Sequence, residues 1–356
     1  KHGIKLVLGY TVEGFKEKDN GVEVLLKDNP SLQADMVVLA IGVTPDTVLA
    51  KEAGLELGIK ESIVVNDRME TSVPDIYAAG DAVQVKHYVT GNDALISLAG
   101  PANKQGRIIA DNICGGDSRY LGSQGSSVIK VFDMTAATTG INETNAKKSG
   151  LEVDTVILSP MSHAGYYPGG KVMTMKVVFE KETYRLLGAQ IIGYEGVDKR
   201  IDVLATAIHA GLNATQLKDL DLAYAPPYSS AKDPVNMAGF MIDNIAKGTL
   251  KQWHLEDMDK ISKDKDVVLL DVRTVGEFSR GHIDGFKNIP VDELRERISE
   301  IEKGKPVYLI CQSGLRSYIA SRILEGNGYE TYNFSGGFRF YDAVVNDRAL
   351  IERAYA

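Results

Sequence analysis

The sequence predicts a multidomain protein in which α/β units and an α+β unit follow one another. Its 356 residues leave room for two or three domains of roughly 100–200 residues each. Fully apolar runs bounded by turn residues occur in the first and last parts of the chain, and such runs are typical of strands buried inside an α/β sheet. Between them, longer strand patterns followed by a helix predict an α+β layer.

Composition and charge exclude two classes of partner. The chain is 44% hydrophobic and 25% charged, and no apolar run approaches the roughly 20 residues of a membrane span. The formal net charge is −8 and no long stripe of Lys or Arg is present, so we expect no nucleic-acid partner. Cys114 and Cys311 are too few for a disulfide framework, which favours a reduced, cytoplasmic protein. We expect no metal site.

Short strand patterns dominate the first part of the chain. The apolar run at residues 36–41 ends at Gly42 and predicts a strand buried on both faces. The chain starts at Lys1, inside a strand pattern and without an initiator methionine, so we expect that the natural N-terminus is missing. The predicted elements are strands at residues 1–9, 22–26, 36–41 and 75–82 and a helix at residues 101–113.

The remainder of the chain divides into an α+β part and a second α/β part. Residues 247–258 are mixed and polar around Gly248, and they predict a linker between the two parts. Before the linker we predict strands at residues 171–179 and 186–192 and a helix at residues 198–210. After it we predict a small parallel sheet with strands at residues 267–272 and 307–311 and a helix at residues 315–324.

The segment from Cys311 to Ser317 follows a predicted buried strand and leads into a helix. Backbone amides, the helix N-terminus and Arg316 would all favour a thiolate at Cys311 and make its sulfur a nucleophile. Four residues separate Cys311 from Arg316, one fewer than in the phosphatase loops of similar pattern, so sulfur is favoured over phosphate. A buried structural cysteine is the alternative. The residues expected to contact substrate are Gln312, Ser313, Gly314, Leu315 and Ser317.

Several neighbouring motifs extend this pattern. The motifs are Asp271-Val272-Arg273, Glu277-Phe278, Gly281-His282-Ile283-Asp284-Gly285, Asn288-Ile289-Pro290 and Gly336-Gly337-Phe338. Together with the cysteine loop they resemble the rhodanese sulfurtransferases. The resemblance implies that Cys311 carries sulfane sulfur and that Arg316 assists it.

Asp81 follows the predicted strand at residues 75–82 and could accept hydrogen bonds from a sugar or ribityl chain, although a turn cap is the simpler interpretation. Residues 71–81 and 40–45 resemble the flavin motif and an earlier glycine motif of the pyridine nucleotide-disulfide oxidoreductases. The resemblance implies FAD and NADH as cofactors, with NADPH left open. The residues that it places at the cofactors are Gly42, Gly80, Asp81, Ala99 and Ala102.

Three further segments, residues 98–107, 162–168 and 224–234, resemble the coenzyme A-disulfide reductase and NADH oxidase branch of that family. With the rhodanese motifs, the chain is similar to fusions described as NADH-dependent persulfide reductases. The resemblance implies a homodimer that acts on a coenzyme A thiol, persulfide or disulfide. It places Tyr166 and Tyr224 at the reacting sulfur and Asn103 and Lys232 near the coenzyme A substrate or the flavin. Tyr228 is a further candidate at the substrate, and packing or capping of a turn is the alternative for it.

The resemblances predict five segments, which are the C-terminal part of an NADH-binding domain at 1–62, the C-terminal part of an FAD-binding domain at 63–125, a dimerisation domain at 126–246, a linker at 247–258 and a rhodanese domain at 259–356. The flavin-fold G-x-G-x-x-G, the redox cysteine and the second glycine motif of the family are not in the sequence. We therefore expect the C-terminal portion of a longer FAD-dependent, NADH-linked reductase of coenzyme A persulfide, polysulfide or disulfide. The alternatives are a rhodanese-type sulfurtransferase on a non-redox dimerisation platform and a water-forming NADH oxidase.

Overall fold

The computed structural model describes residues 3–355, with side chains as far as residue 349. The described chain divides into two compact units. One consists of the residues up to 44 together with those from 342 onwards, and the other consists of residues 45–341.

The first unit contains an antiparallel sheet of three strands, β1 (Val12–Lys18), β2 (Gly21–Leu26) and β3 (Asn29–Ala34), in that order. β2 confirms the strand predicted at residues 22–26. Gly21 has a φ of +131°, and a Cβ atom there would lie 2.4 Å from the Ala34 carbonyl oxygen. Only glycine therefore allows this close approach between β2 and β3.

Two strands predicted in this unit are wrong. Residues 3–9 and 36–41 form no strand, and residues 1 and 2 of the first pattern lie outside the described residues. The Ile41 side chain is 89% exposed, and Met36, Val38 and Leu39 in the same run are exposed too. A strand buried on both faces needs paired strands at its edges and helices over its faces. No element within the described residues covers this run, so the pattern has nothing to pair with.

Residues 45–125 contain little regular structure apart from one long helix. The strand predicted at residues 75–82 is wrong, because Asp75 has a φ of 65° that interrupts the extended backbone and Gly80–Ala82 form a 3-10 turn. The helix predicted at residues 101–113 is confirmed. The elements of this region are α1 (Val48–Glu52), β4 (Val85–Lys86), β5 (Asp93–Ala94) and α2 (Ala99–Ile113).

The next region is an antiparallel sheet of order β6-β7-β10-β9-β8 with helices packed on it. Buried apolar side chains such as Val177 on β9, Ile191 on β10 and Leu204 on α4 form one core, which confirms the predicted α+β layer. The elements are β6 (Ser127–Val131), β7 (Met134–Gly140), α3 (Glu143–Lys148), β8 (Val153–Leu158), β9 (Thr174–Glu180), β10 (Leu186–Gly193), α4 (Val197–His209) and α5 (Pro234–Ala246).

The last region is a parallel sheet of order β11-β15-β14-β12-β13, as predicted. On β14, Leu309 joins one core and Ile310 joins a second, because this central strand is buried on both faces. The elements are β11 (Gln252–Trp253), α6 (Met258–Ile261), β12 (Val268–Asp271), α7 (Val275–Arg280), β13 (Lys287–Asn288), β14 (Val307–Ile310), α8 (Leu315–Glu325), β15 (Thr331–Phe334) and α9 (Gly337–Tyr355).

Within residues 45–341, side-chain hydrogen bonds join the five-stranded antiparallel sheet to the five-stranded parallel sheet. The Gln252 side chain donates hydrogen bonds to both Asp154 carboxylate oxygens at 3.1 Å, and His254 Nε2 lies 3.1 Å from Asp154 Oδ1. The Ile157 amide donates to Ser335 Oγ at 3.1 Å. β11 lies inside the predicted linker at residues 247–258, so part of that segment is an edge strand of the parallel sheet. The five segment boundaries remain predictions.

Candidate functional sites

The cysteine loop is built at the end of the central strand of the parallel sheet. Cys311 follows β14 and is 1% exposed. Its Sγ atom accepts hydrogen bonds from the Gly314 amide at 3.1 Å and from the Ser317 hydroxyl at 3.2 Å. Gly314 has a φ of 100°, a left-handed conformation that favours glycine and lets the chain turn into α8. The loop therefore provides donors that stabilise negative charge on the sulfur.

Backbone amides at the start of α9 hold the same loop in place. The Phe338 amide donates to the Cys311 carbonyl at 2.8 Å and the Arg339 amide donates to the Gln312 carbonyl at 3.1 Å. Gly337 has a φ of 66°, and a Cβ atom there would lie 2.7 Å from the Gln312 backbone. A larger residue at Gly337 would push the cysteine loop out of place. The late glycine turn is thus a structural part of the loop.

Arg316 forms an ion pair with a carboxylate. Among the hydrogen bonds of the described residues, none joins Arg316 to the cysteine sulfur. Its two terminal nitrogens donate to the two Glu277 oxygens at 2.7 Å each. Arg316, opposed by partial burial and supported by Thr274, lowers the pKa of Glu277 to about 2. Glu277 in turn raises the pKa of Arg316. The side chain that we expected to favour the thiolate directly is therefore neutralised by a neighbour.

A second ion pair lies deeper in the same region. Asp271 and Arg273 are both buried, and Arg273 Nη2 donates to Asp271 Oδ2 at 2.7 Å and to the Gly281 carbonyl at 2.8 Å. The Arg273 guanidinium also lies 3.8 Å from the centre of the Phe338 ring. These contacts join β12, the end of α7 and the start of α9, and so they hold the frame around the cysteine loop.

Two of the tyrosines singled out by sequence lie together in a different part of the structure. The Tyr166 and Tyr224 hydroxyls are 3.0 Å apart, and the side chains are 76% and 46% exposed. The hydrogen bond with Tyr166 raises the pKa of Tyr224. Tyr224 also lines a cavity of about 500 Å³ with Tyr228, His163 and Lys199. The tyrosine pair is thus open to solvent, and one of its members, Tyr224, borders the cavity.

A buried arginine that sequence reasoning missed organises this site. Arg200 is 1% exposed and donates to Asp233 Oδ2 at 3.0 Å, to Ser229 Oγ at 3.2 Å and to the Ser162 carbonyl at 2.9 Å. Ser229 also donates to Asp233 at 2.6 Å. The network ties α4 to the loop before Tyr166 and to the segment after Tyr224. Its only sequence signal is a charged residue on the apolar face of an amphipathic helix.

Lys232 is brought to the cysteine loop and not to the tyrosine pair. It lines a cavity of about 390 Å³ together with Ser313, Gly314 and Leu315, and the other walls are mainly apolar side chains of α5 and β8. Lys232 Nζ lies 5.7 Å from the centre of the Phe240 ring. Within the described part of the chain, Lys232 has no ion-pair partner. The cavity therefore combines an apolar wall with one uncompensated positive charge.

The residues predicted to hold FAD lie where the turn at Gly80–Ala82 packs against the start of α2. The Gly80 amide donates to Gln105 Oε1 at 2.7 Å, and a Cβ atom at Gly80 would lie 3.8 Å from Ala102 Cβ. Asp81 and Ala99 are exposed, and no side chain caps the first turn of α2. An exposed carboxylate beside free helix amides fits the hydroxyl-bearing chain and polar ring edge of a flavin. The residues present thus fit one side of a flavin site.

The two remaining predicted site residues are Asn103 and Gly42. The Asn103 side chain donates to the Ala99 carbonyl at 2.9 Å on the exposed surface of α2. Gly42 belongs to the first unit, where it is exposed and has a φ of 95°. Among the described residues, no cluster of His, Cys, Asp and Glu suits a metal ion. No helix within residues 3–355 has both the length and the apolar character that a bilayer crossing requires.

Models of known protein families match three segments of the chain. Residues 1–106 match the pyridine nucleotide-disulphide oxidoreductase model, residues 126–234 match the dimerisation domain of the same family, and residues 254–343 match the rhodanese-like domain. The first two matches together cover more than half of the chain. The chain therefore belongs to the pyridine nucleotide-disulphide oxidoreductase family and carries a rhodanese-like domain, which confirms the predicted fold class.

Individual relatives narrow the comparison. An NAD(P)H sulfur oxidoreductase (CoA-dependent) from Pyrococcus abyssi is 37% identical over 66% of this chain and 52% of its own length. The crystal structure of reduced Bacillus anthracis CoADR-RHD is 46% identical with a TM-score of 0.91, over 95% of this chain and 60% of that one. An NAD-dependent persulfide reductase from A. fulgidus is 40% identical with a TM-score of 0.85, over 93% and 60%. The chain spans about half the length of the curated relatives it matches.

Proposed function

We propose that this chain is part of an FAD-dependent, NADH-linked reductase of coenzyme A persulfide or polysulfide, or of coenzyme A disulfide, in which Cys311 carries sulfane sulfur. The observation that carries the proposal is the Cys311 sulfur held by the Gly314 amide and the Ser317 hydroxyl, in a chain whose preceding part belongs to an oxidoreductase family. The names of the relatives support the same substrates.

The cysteine loop would act as a sulfur carrier. The Cys311 thiolate attacks the outer sulfur of an organic persulfide, a new S–S bond forms at Cys311, and the S–S bond of the donor breaks to release its thiolate. No electrons are gained or lost overall, because sulfane sulfur passes from one thiol to another. The Gly314 amide and the Ser317 hydroxyl stabilise the charge before the transfer.

The tyrosine pair would act on a thiolate that leaves when a sulfur–sulfur bond is reduced. The raised pKa of Tyr224 keeps its phenol protonated at neutral pH, so it can donate a hydrogen bond or a proton. The electrons that reduce the sulfur–sulfur bond would be supplied by NADH or NADPH through a bound FAD. Gly80, Asp81, Ala99 and Ala102 would hold one side of the flavin, and the Asp81 carboxylate would accept hydrogen bonds from its hydroxyl groups.

Coenzyme A would meet the chain at more than one place. We propose that Lys232 binds a phosphate and that Asn103 and Tyr228 contact the same substrate. The apolar cavity beside Lys232 suits an extended organic chain and ends at the cysteine loop. The family of residues 126–234 and the exposed tyrosine pair support a homodimer. Two free cysteines, one of them exposed, support a reducing, cytoplasmic setting.

One alternative keeps a specific observation in its favour. The cysteine loop and its supports lie entirely within residues 268–339, so the region has what a rhodanese-type sulfurtransferase needs without any redox partner. The remainder would then be a dimerisation platform. A water-forming NADH oxidase gives the cysteine loop no role.

The decisive test uses the complete enzyme. NADH oxidation is measured with coenzyme A persulfide and, separately, with coenzyme A disulfide, and the visible absorption spectrum is recorded first. We expect a flavin spectrum and turnover of at least one substrate. A colourless protein that takes up sulfane sulfur would support the sulfurtransferase, and a flavin-containing protein that turns over neither substrate would contradict the proposed reductase.

A further inference from the structure

Two arginines near the cysteine loop are each paired with a carboxylate. Arg316 gives both terminal nitrogens to Glu277, and Arg273 gives its guanidinium to the buried Asp271. Arg316 also interacts electrostatically with Cys311, so the pairing of Arg316 with Glu277 changes the charge that the sulfur meets. Each of these two arginines therefore has a carboxylate of its own, whereas Lys232, which lines the cavity next to the loop, has no ion-pair partner among the described residues.

The pairing of Arg316 with Glu277 affects sulfur donors differently according to their charge. Thiosulfate carries two negative charges, and it must approach a thiolate that carries one. Only uncompensated positive charge beside the sulfur would offset this repulsion. At its reacting end, an organic persulfide carries one negative charge or, when protonated, none. By pairing with Arg316, Glu277 thus disfavours thiosulfate more than it disfavours an organic persulfide.

We propose that Glu277 is a specificity-determining residue, because it neutralises Arg316 and so directs the cysteine loop toward organic persulfides and away from thiosulfate. The proposal rests on the proposed function, in which Cys311 carries sulfane sulfur. Both donors would load Cys311 by the same bond exchange. An organic persulfide releases its thiolate, and thiosulfate releases sulfite, while the new S–S bond forms at Cys311 in each case.

Glu277 also has a structural role that the test must separate from its charge. It is the third residue of α7, where the Thr274 hydroxyl accepts from the Glu277 amide and the Glu277 carboxylate accepts from the Thr274 amide. Glutamine serves equally well in such a capping box. Glu277→Gln therefore removes the negative charge and keeps the cap, whereas Thr274→Ala weakens the cap and keeps the charge.

The experiment measures loading of Cys311 in the complete enzyme. Mass spectrometry follows the gain of one sulfur on Cys311 with time, with thiosulfate or glutathione persulfide as donor, for the wild type, Glu277→Gln and Thr274→Ala. We expect Glu277→Gln to raise the thiosulfate-to-persulfide ratio of kcat/KM roughly tenfold, mainly through a lower KM for thiosulfate. Thr274→Ala should change that ratio less than about twofold.

The outcomes separate this inference from the proposed function. An unchanged or lower ratio in Glu277→Gln, or an equal rise in Thr274→Ala, would overturn the role of Glu277 while loading of the wild type still supports a sulfur carrier. A wild type that gains sulfur from neither donor would overturn the proposed function and this inference with it. The ratio is informative because a general change in cysteine reactivity affects both donors alike.

Discussion

The cysteine loop and the tyrosine pair are assembled in opposite ways. Cys311 is 1% exposed, and the groups that contact its sulfur come from Gly314 and Ser317, within the next six residues. Tyr166 is 76% exposed, and its partner Tyr224 is 58 residues away in the chain. A short sequence thus encodes the first site almost completely, whereas the second depends on a tertiary network that aligns two distant loops.

Arg200 is what makes the second arrangement possible. A buried guanidinium can donate up to five hydrogen bonds, and here it joins α4 to both loops. The cysteine loop instead rests on backbone contacts from the start of α9. The two sites should therefore respond differently to single substitutions, because one depends on backbone contacts and the other on a buried ion pair.

The largest effect should come from the sulfur itself. Cys311→Ser should abolish the mass increase of about 32 Da after incubation with a persulfide, since an alkoxyl oxygen cannot carry sulfane sulfur. Cys114→Ser is the matched control and should keep the full increase, because Cys114 lies at the exposed end of α2. If Cys114→Ser lost the mass increase and Cys311→Ser kept it, Cys311 would not be the sulfur carrier.

The sequence predicted the cysteine loop because strand, glycine turn and helix are neighbours in the chain. It also predicted α2, β10 and α8 closely, since their periodicity is local. It failed at residues 36–41, because an apolar pattern does not say whether neighbouring strands are present. It also missed the ion pair between Arg316 and Glu277, because no spacing rule links residues that lie 39 positions apart in the chain.

Removing a buried charge from the tyrosine site should lower the stability of the protein strongly. Arg200→Met leaves the Asp233 carboxylate buried without its main partner, so the free energy of unfolding should fall by about 3–5 kcal/mol. Urea denaturation followed by circular dichroism would measure this loss.

Arg185→Met provides the control for Arg200. The Arg185 side chain is 46% exposed and lies 3.6 Å from Glu180, so its loss should cost less than about 1 kcal/mol. Equal losses in the two variants would mean that the Arg200 network does not hold the tyrosine site together.

A smaller effect should come from the hydroxyl beside the sulfur. Ser317→Ala removes one of the two donors to Cys311 Sγ, so alkylation of Cys311 by iodoacetamide at neutral pH should slow roughly tenfold. Ser321→Ala, one turn further along α8, removes a hydroxyl that donates only to the Tyr318 carbonyl. The control should alkylate at the wild-type rate, and equal slowing in both would show that the helix and not the hydroxyl sets the reactivity.

The smallest effect concerns the acid stability of the loop. A carboxyl whose pKa falls from 4.5 to about 2 on folding adds stability that is complete above pH 4.5 and lost as the pH falls through about 2. Because Glu277 and Arg316 are 22% and 30% exposed, solvent screening reduces the contribution to about 1 kcal/mol. At pH 6 the free energy of unfolding of the wild type should exceed that of Glu277→Gln by about 1 kcal/mol. This difference in stability should shrink as the pH falls from 4.5 to 2. Trp253, the only tryptophan, is buried in the parallel-sheet region, so its fluorescence during urea unfolding reports this region. A difference that stays constant across this pH range would show that the ion pair with Arg316 does not stabilise the loop.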